Sequence, residues 1–487
     1  MKKVAGSLLS LLLLTLCSCG QPASNGASRS PAGQKNDSVM GLVKKYFNAK
    51  SVDSMYALTG ERFRKQISPG MFRNVTDNNL FPLGEMKQAV FLKDADKVSI
   101  YKAVFASATL QMVIGLDPAD KLEAFAFQPY EDESAGKTGP VASNNPLVTA
   151  QDRIVDSVAL GYMRRLAPVG LSIGILRNGK TSFYGYGEAT KGEGNVPGAR
   201  TLFEIGSITK TFTATMLGLA VGEGKMSLDD PVNKYLPDSI PPLEFHGRIV
   251  TIRDLSNHTG GIPRMPDNFQ SKVSNGNDPY ADYTVNDLYG WLRTLRLTRE
   301  PGSRFEYSNA GVGLLGTILQ KIYGKSYEDL LYAGIAAPLG MGDTRVNIRP
   351  SDSVRVAAGY NEVGKYNGPW NLSPAFAGAG AIRSTAQDML KYAAAEMDGP
   401  GVPAPLERAI ALTHNVTFRD GDMRIGLGWI YRSAAGKDFL FHNGGTGGYR
   451  SYAGIDPDKK IAVIVLSNCG LGVDAEGAKL MAWLERQ

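Results

Sequence analysis

Cysteine is scarce in this chain of 487 residues: Cys17 and Cys19 flank Ser18 near the start, and Cys469 stands alone far downstream. Loss of Cys17 with a leader and lipidation of Cys19 would leave Cys469 alone, so a disulfide framework is excluded as a source of stability. Histidine is nearly as rare. His246, His258, His414 and His442 are scattered and show neither HExxH nor Cys/His ligand spacing, so neither a metal nor any other cofactor is expected. No basic run accompanies the formal net charge of +6, which argues against nucleic acid as a partner. Apolar runs are short as well: the stretch from Leu8 to Leu16 is far below the ~20 residues that span a bilayer. No internal repeat is visible. What remains is an ordinary globular composition, with many glycines for tight turns and a length that calls for at least two domains.

The opening residues have the form of a targeting segment. Lys2 and Lys3 precede the apolar run, and Leu16-Cys17-Ser18-Cys19 resembles a bacterial lipobox. That resemblance implies a signal peptide over residues 1–18, lipid attachment at Cys19 and an exported lipoprotein held on the periplasmic or cell-surface side of a membrane. Residues 19–37, rich in Ser, Asn, Pro and Gly, read as a flexible tether.

Residues 38–130 are expected to form a small α+β domain. Val39 to Phe47 has helical apolar spacing, and Ala89 to Leu92, Val98 to Phe105, Ala108 to Ile114 and Leu122 to Phe127 read as strands of an antiparallel sheet. The polar stretch over residues 131–147 reads as a linker. Residues 148–487 then open with an amphipathic helix, Ile154 to Leu166. Two strand-like runs follow, Gly170 to Leu176 and Thr181 to Tyr186, and Asn178-Gly179 between them signals a hairpin. Asp438 to His442, Tyr449 to Ile455 and Ile461 to Leu466 supply more strands, and Ala475 to Leu484 a last helix. Between the two strand sets the chain is helix-rich, with Asp329 to Ala337 one predicted helix and Thr385 to Asp388 a capping-box spacing ahead of another. The fold class is therefore α+β: an antiparallel sheet flanked by helices with an inserted, mainly helical lobe, preceded by the small domain.

Chemistry concentrates in three places. In Ser207-Ile208-Thr209-Lys210 the three-residue spacing puts Ser207 and Lys210 one helical turn apart on one face, so an enclosed lysine with a lowered pKa could take the serine proton. The same short pattern recurs at Ser99 to Lys102 and Ser134 to Lys137. Only the Ser207 copy is followed by an apolar helical run, Phe212 to Val221. Tyr307-Ser308-Asn309 offers a phenol and a carboxamide on alternate positions, able to face one cleft, and Tyr46 to Asn48 repeats the spacing in the small domain. His442-Asn443-Gly444-Gly445 closes a strand, while His258-Thr259-Gly260 shares its first positions.

With FEIGSITKTFTATMLGLA from Phe203, IRDLSNHTGGI from Ile252, FEYSNAGVGLLG from Phe305, AGAIRSTAQDM from Ala379 and HNGGTGGYRSYAGIDP from His442, the chain resembles the superfamily of class C β-lactamases and D,D-peptidases. The resemblance runs from about Ser157 to Leu484 and implies the β-lactamase/transpeptidase-like fold. It further implies Ser207 as acylated nucleophile, Lys210 as its base, Tyr307 as a proton relay and Asn309 as a ligand of the substrate amide. His442 would line the cleft, with an oxyanion hole made by the N–H groups of Ser207 and Gly445.

One departure is informative. Many members have Lys-Thr-Gly where this chain has His442-Asn443-Gly444, and an imidazole of ordinary pKa is mostly neutral at pH 7 whereas an ammonium is a permanent cation. Histidine there is common in relatives that are esterases, D-aminopeptidases or amidases. The expected function is thus a serine hydrolase acting through an acyl-enzyme on an ester or amide of a small molecule or peptide. A β-lactamase or D,D-carboxypeptidase, and a slow-turnover sensor module, are the alternatives. Arg450 could replace the missing cation or serve a structural ion pair, and His258 is expected to be structural.

Overall fold

The computed structural model describes residues 31–487 apart from 68, 96–97, 107–108, 131–139, 398, 400 and 435. Cys19 and residues 1–30 lie outside the described residues. The chain divides into two compact units, residues 1–133 and 134–487.

In the first unit helix α1 (Pro31–Asn48) packs on a four-stranded antiparallel meander, β1 (Met86–Ala95), β2 (Val98–Phe105), β3 (Thr109–Leu116) and β4 (Leu122–Pro129). Val43 and Phe47 of α1 are buried, and the Phe47 ring stands edge-on to Phe105 at 5.2 Å. Residues 31–37 are helical, not part of a tether as their polar composition suggests. Proline suits a first helical turn, and Asn36 donates to Ser99 Oγ at 2.8 Å while Tyr101 donates to Asp37 at 2.7 Å, so these turns are tied to the sheet.

The second unit is built on eight antiparallel strands. Helix α2 (Ala150–Leu166), started by a Thr149–Asp152 capping box, leads into β5 (Gly170–Arg177) and β6 (Lys180–Gly187). Asn178 and Gly179 both have left-handed φ, 53° and 71°, as a two-residue hairpin turn requires. The tail of the expected linker is docked along β6: Gly187 N–H donates to Ala142 O at 2.8 Å and Gly185 N–H to Asn144 Oδ1 at 2.6 Å. After a long insertion the sheet resumes with β7 (Phe418–Asp420), β8 (Met423–Ile425), β9 (Ile430–Ala434), β10 (Lys437–Gly445), β11 (Arg450–Asp456) and β12 (Ile461–Ser467), in the order β7-β8-β9-β10-β11-β12-β5-β6.

Both faces of this sheet are covered. Val155 and Tyr162 of α2 and Leu480 and Met481 of the last helix (Asp474–Leu484) share one core with Ile173, Val463 and Val465. The opposite face meets the inserted lobe, whose central helix α3 (Thr209–Gly222) is buried on nearly every side. A helix apolar only on one stripe could not occupy that place. In the lobe, α4 (Asn309–Tyr323) lies against α3, and the predicted helix over Asp329 to Ala337 is an α-helical turn, Tyr327–Leu331, widened into a π turn, Tyr332–Ala336. Thr385 caps the helix Ala386–Ala395 by accepting from Asp388 N–H. The Asp388 carboxylate accepts from Asp343 N–H at 2.8 Å and from Thr344 Oγ1 at 3.2 Å.

Candidate active site

The seam between sheet and lobe is drawn tight at one point by glycine. Gly206 takes φ +50°, and a Cβ there would lie 2.6 Å from Gly445 N. A Cβ on Gly444 would lie 2.0 Å from Ile205 O. Ser451 Oγ donates to the same Ile205 carbonyl at 2.8 Å. The end of β10 is thereby pressed against the turn Gly206–Ile208 that carries Ser207. N–H groups in such a first turn have no acceptor within their own helix.

One turn on, Lys210 is 1 % exposed; its Nζ lies 3.0 Å from Ser207 Oγ and donates to Ala379 O at 2.6 Å. Among the described residues no carboxylate pairs with it. Burial, and then the positive charge of Arg264, hold its pKa well below the ordinary lysine value. A neutral amine that donates to Ala379 O keeps its lone pair, and that lone pair can accept a proton from Ser207.

Tyr307 and Asn309 are brought in by the loop over residues 258–264. Ser308 N–H donates to His258 Nδ1 at 3.1 Å, Ser308 Oγ donates to Pro263 O at 2.8 Å and accepts from Gly311 N–H at 2.8 Å, capping α4. Asn309 N–H and Ala310 N–H donate to Arg264 O at 3.0 and 3.2 Å. The Tyr307 ring stacks on His258 with centroids 4.5 Å apart, and Lys210 Nζ lies 4.9 Å from its centroid. Burial pushes the Tyr307 phenol up to about 12, against a hydrogen bond with Ser207. Asn309 is 9 % exposed, and its Oδ1 has no hydrogen-bond partner among the described residues.

His442 is 2 % exposed and meets the site obliquely, its ring centroid 6.4 Å from that of Tyr307. Nδ1 is 2.7 Å from the Asn443 carbonyl, which can only accept, so the proton sits on Nδ1 and Nε2 keeps the lone pair. Burial, followed by the Lys210 charge, pulls its pKa down to about 3. Residue 442 therefore carries no charge at neutral pH. Arg450 does not take over its place as a cation: it donates to Thr446 O and Tyr449 O at 2.6 and 2.8 Å and pairs with Glu362 at 3.0 Å.

The cleft over Ser207 spans about 280 Å³ of empty space, part of it open to solvent, and is walled by Tyr280, Asn309, Trp370, Leu372, Gly445 and Thr446. The strand contributes Gly445 and Thr446 to this lining. Of the residues singled out from sequence, the structure gathers Ser207, Lys210, Tyr307, Asn309, His442 and Gly445. Of the other serine–lysine spacings, Ser99 belongs to β2 of the first unit and Ser134 lies outside the described residues. Sequence reasoning missed Arg264, Tyr280, Trp370 and the Ala379 carbonyl. It also missed Glu204, which is buried beneath the site against Arg383 at 3.1 Å and raised to about 7 by burial.

This fold, with a Ser-x-x-Lys pair whose lysine is buried at the head of a central helix, defines an active-site serine hydrolase that works through an acyl-enzyme. The Beta-lactamase family profile matches residues 155–485, and the chain belongs to that family. A β-lactamase of Pseudomonas fluorescens is 29% identical over 350 residues, covering 65% of this chain and 93% of its own. One from Escherichia coli K12 is 26% identical over 335 residues, 61% of this chain and 84% of its own. Among solved structures, a β-lactamase/D-alanine carboxypeptidase from Pseudomonas syringae is 25% identical with TM-score 0.61, over 70% of this chain and 99% of its own. A class C β-lactamase is 25% identical with TM-score 0.62, over 70% and 98%.

Proposed function

We propose that Ser207 attacks the carbonyl of an ester or amide, with Lys210 as proton acceptor and Tyr307 as relay to the leaving group. The N–H groups of Ser207 and Gly445 hold the oxyanion, and Asn309 holds an amide of the acyl portion. Water then releases the acyl group. The preferred substrate lacks a carboxylate beside the leaving atom. The observation that carries this reading is the buried, uncharged His442, which supplies no cation on the strand side of the cleft.

The names of the relatives favour a second reading, β-lactamase or D-alanine carboxypeptidase activity. The two are separated by kcat/KM for nitrocefin relative to a 4-nitrophenyl ester. The ester should be preferred, and His442→Lys should raise the nitrocefin-to-ester ratio about 10-fold, as expected for a new hydrogen bond to a charged group. Efficient nitrocefin turnover by the wild type, with a ratio indifferent to the lysine, would establish the second reading. A fluorophosphonate probe should label Ser207 and leave Ser207→Ala unlabelled. Labelling with no ester turnover would point instead to a slow sensor module.

We also propose a lipid anchor at Cys19, supported by the short apolar run, the lipobox-like sequence and the absence, among the described residues, of any helix long and apolar enough to cross a membrane. Cys19→Ala should move the protein from the membrane pellet to the soluble fraction. Sedimentation of the variant with membranes in high salt would refute the anchor.

A further inference from the structure

We infer that Arg264 is a specificity residue that selects substrates with a carboxylate on the acyl portion, opposite the strand wall that ends in Gly445. The inference rests on the proposed acyl transfer at Ser207.

Arg264 is exposed, and its guanidinium carbon lies 4.9 Å from the centroid of the Tyr307 ring. Among the described residues it has no acid partner and no side-chain hydrogen bond. Its neighbours differ. Arg299 pairs with Glu306 at 3.2 Å, Arg383 with Glu204 at 3.1 Å and Arg450 with Glu362 at 3.0 Å, so each of these three arginines faces an acid. A lone surface arginine is ordinary by itself. This one is anchored, because its carbonyl accepts from two successive N–H groups at the start of α4, fixing its Cα beside the reacting groups.

A second, independent observation points to a ligand beside it. Asn309, the residue whose N–H it anchors, is nine-tenths buried, lines the cleft and has an unpaired Oδ1. A buried carboxamide oxygen left without a donor is costly unless a substrate supplies one. An acyl group with an amide N–H for Asn309 and an acidic group a few bonds further on would satisfy both residues. The guanidinium also opposes charge on Lys210 and so helps keep that amine neutral. An unpaired cation therefore serves two ends, and only the first depends on the charge of the substrate.

The test uses two esters of one leaving group: the mono-4-nitrophenyl ester of adipic acid, which is anionic, and its methyl ester, which is neutral. Any effect of Arg264 on Lys210 acts on both and cancels in the ratio of their kcat/KM values. That ratio should fall about 10- to 100-fold in Arg264→Gln, the range for losing a charge-assisted hydrogen bond, and should be partly restored in Arg264→Lys. In the wild type it should also fall as salt is raised. An unchanged ratio in Arg264→Gln, or equal losses on both esters, would overturn the inference. Fluorophosphonate labelling of Ser207 in the same variants reports separately on the acyl-transfer reading. Labelling with an unmoved ratio sinks Arg264 alone, whereas ester turnover that survives Ser207→Ala sinks the reading beneath it.

Discussion

Lys210→Met is expected to lower kcat/KM on esters by roughly 10³-fold and, at neutral pH, to raise the melting temperature. The loss follows from removing the amine that lies 3.0 Å from Ser207 Oγ. The gain in stability follows from linkage. Folded, Lys210 titrates well below its ordinary value because it is buried; unfolded, it takes a proton up to about pH 10.4. In the window between those two values the unfolded state binds more protons, so folding costs the release of one, and wild-type stability rises with pH. Methionine has similar bulk and no proton to lose. The difference in melting temperature between variant and wild type should thus be largest at low pH within that window and shrink towards about pH 10.4. Other titrating groups, Glu204 among them, are common to both proteins and cancel. Thermal melts from about pH 7 to about pH 9.5 read the slope. A difference that does not depend on pH would mean that Lys210 is charged in the folded protein, and the proposed base would be lost with it.

Legibility from sequence followed how local each feature is. The Asn178-Gly179 turn, strand β2 and the Ser207–Lys210 spacing depend on residues within a few positions of one another, and all three stand as read. Features that depend on meetings across the chain were hidden. The Ala379 carbonyl that fixes Lys210 is backbone 169 residues away and has no side-chain signature. Arg264 sits in an exposed loop and looks like any solvated charge until α4 is seen folded over its carbonyl. The place of His442 beside the cleft came from the family resemblance, because strand pattern could not supply it. Both faces of β10 are covered, and Phe439 to His442 are buried in succession, so alternation carried no information there. The same limit applied to residues 31–37. Polar composition suggests solvent, yet Asn36 and Asp37 spend their polarity on Ser99 and Tyr101 in a distant strand.

The other large effect belongs to a residue with no side chain. Gly206→Ala should reduce kcat about 10²- to 10³-fold with little change in KM, the pattern for an oxyanion donor displaced in the transition state. Gly206 lies at φ +50°, a conformation that costs an L-residue about 1–2 kcal/mol. Its new methyl would also stand 2.6 Å from Gly445 N, 3.0 Å from Gly445 O and 3.1 Å from Gly445 C. Those atoms are backbone and cannot rotate away, and β10 behind them is held in register by β11, with Gly445 opposite Arg450. Either the end of β10 or the Ser207 turn must retreat. Each movement separates the two N–H groups proposed to hold the oxyanion, while Lys210 stays held by Ala379 O. The chemistry should therefore fail on geometry with the base still in place. Fluorophosphonate labelling of Ser207 should slow in parallel with ester hydrolysis, because the probe places its own oxygen in the same hole. Gly222 ends α3 with open space around it, and Gly222→Ala should leave both rates as they are. If Gly206→Ala keeps wild-type kcat at wild-type melting temperature, the close approach of β10 to the Ser207 turn has no part in catalysis.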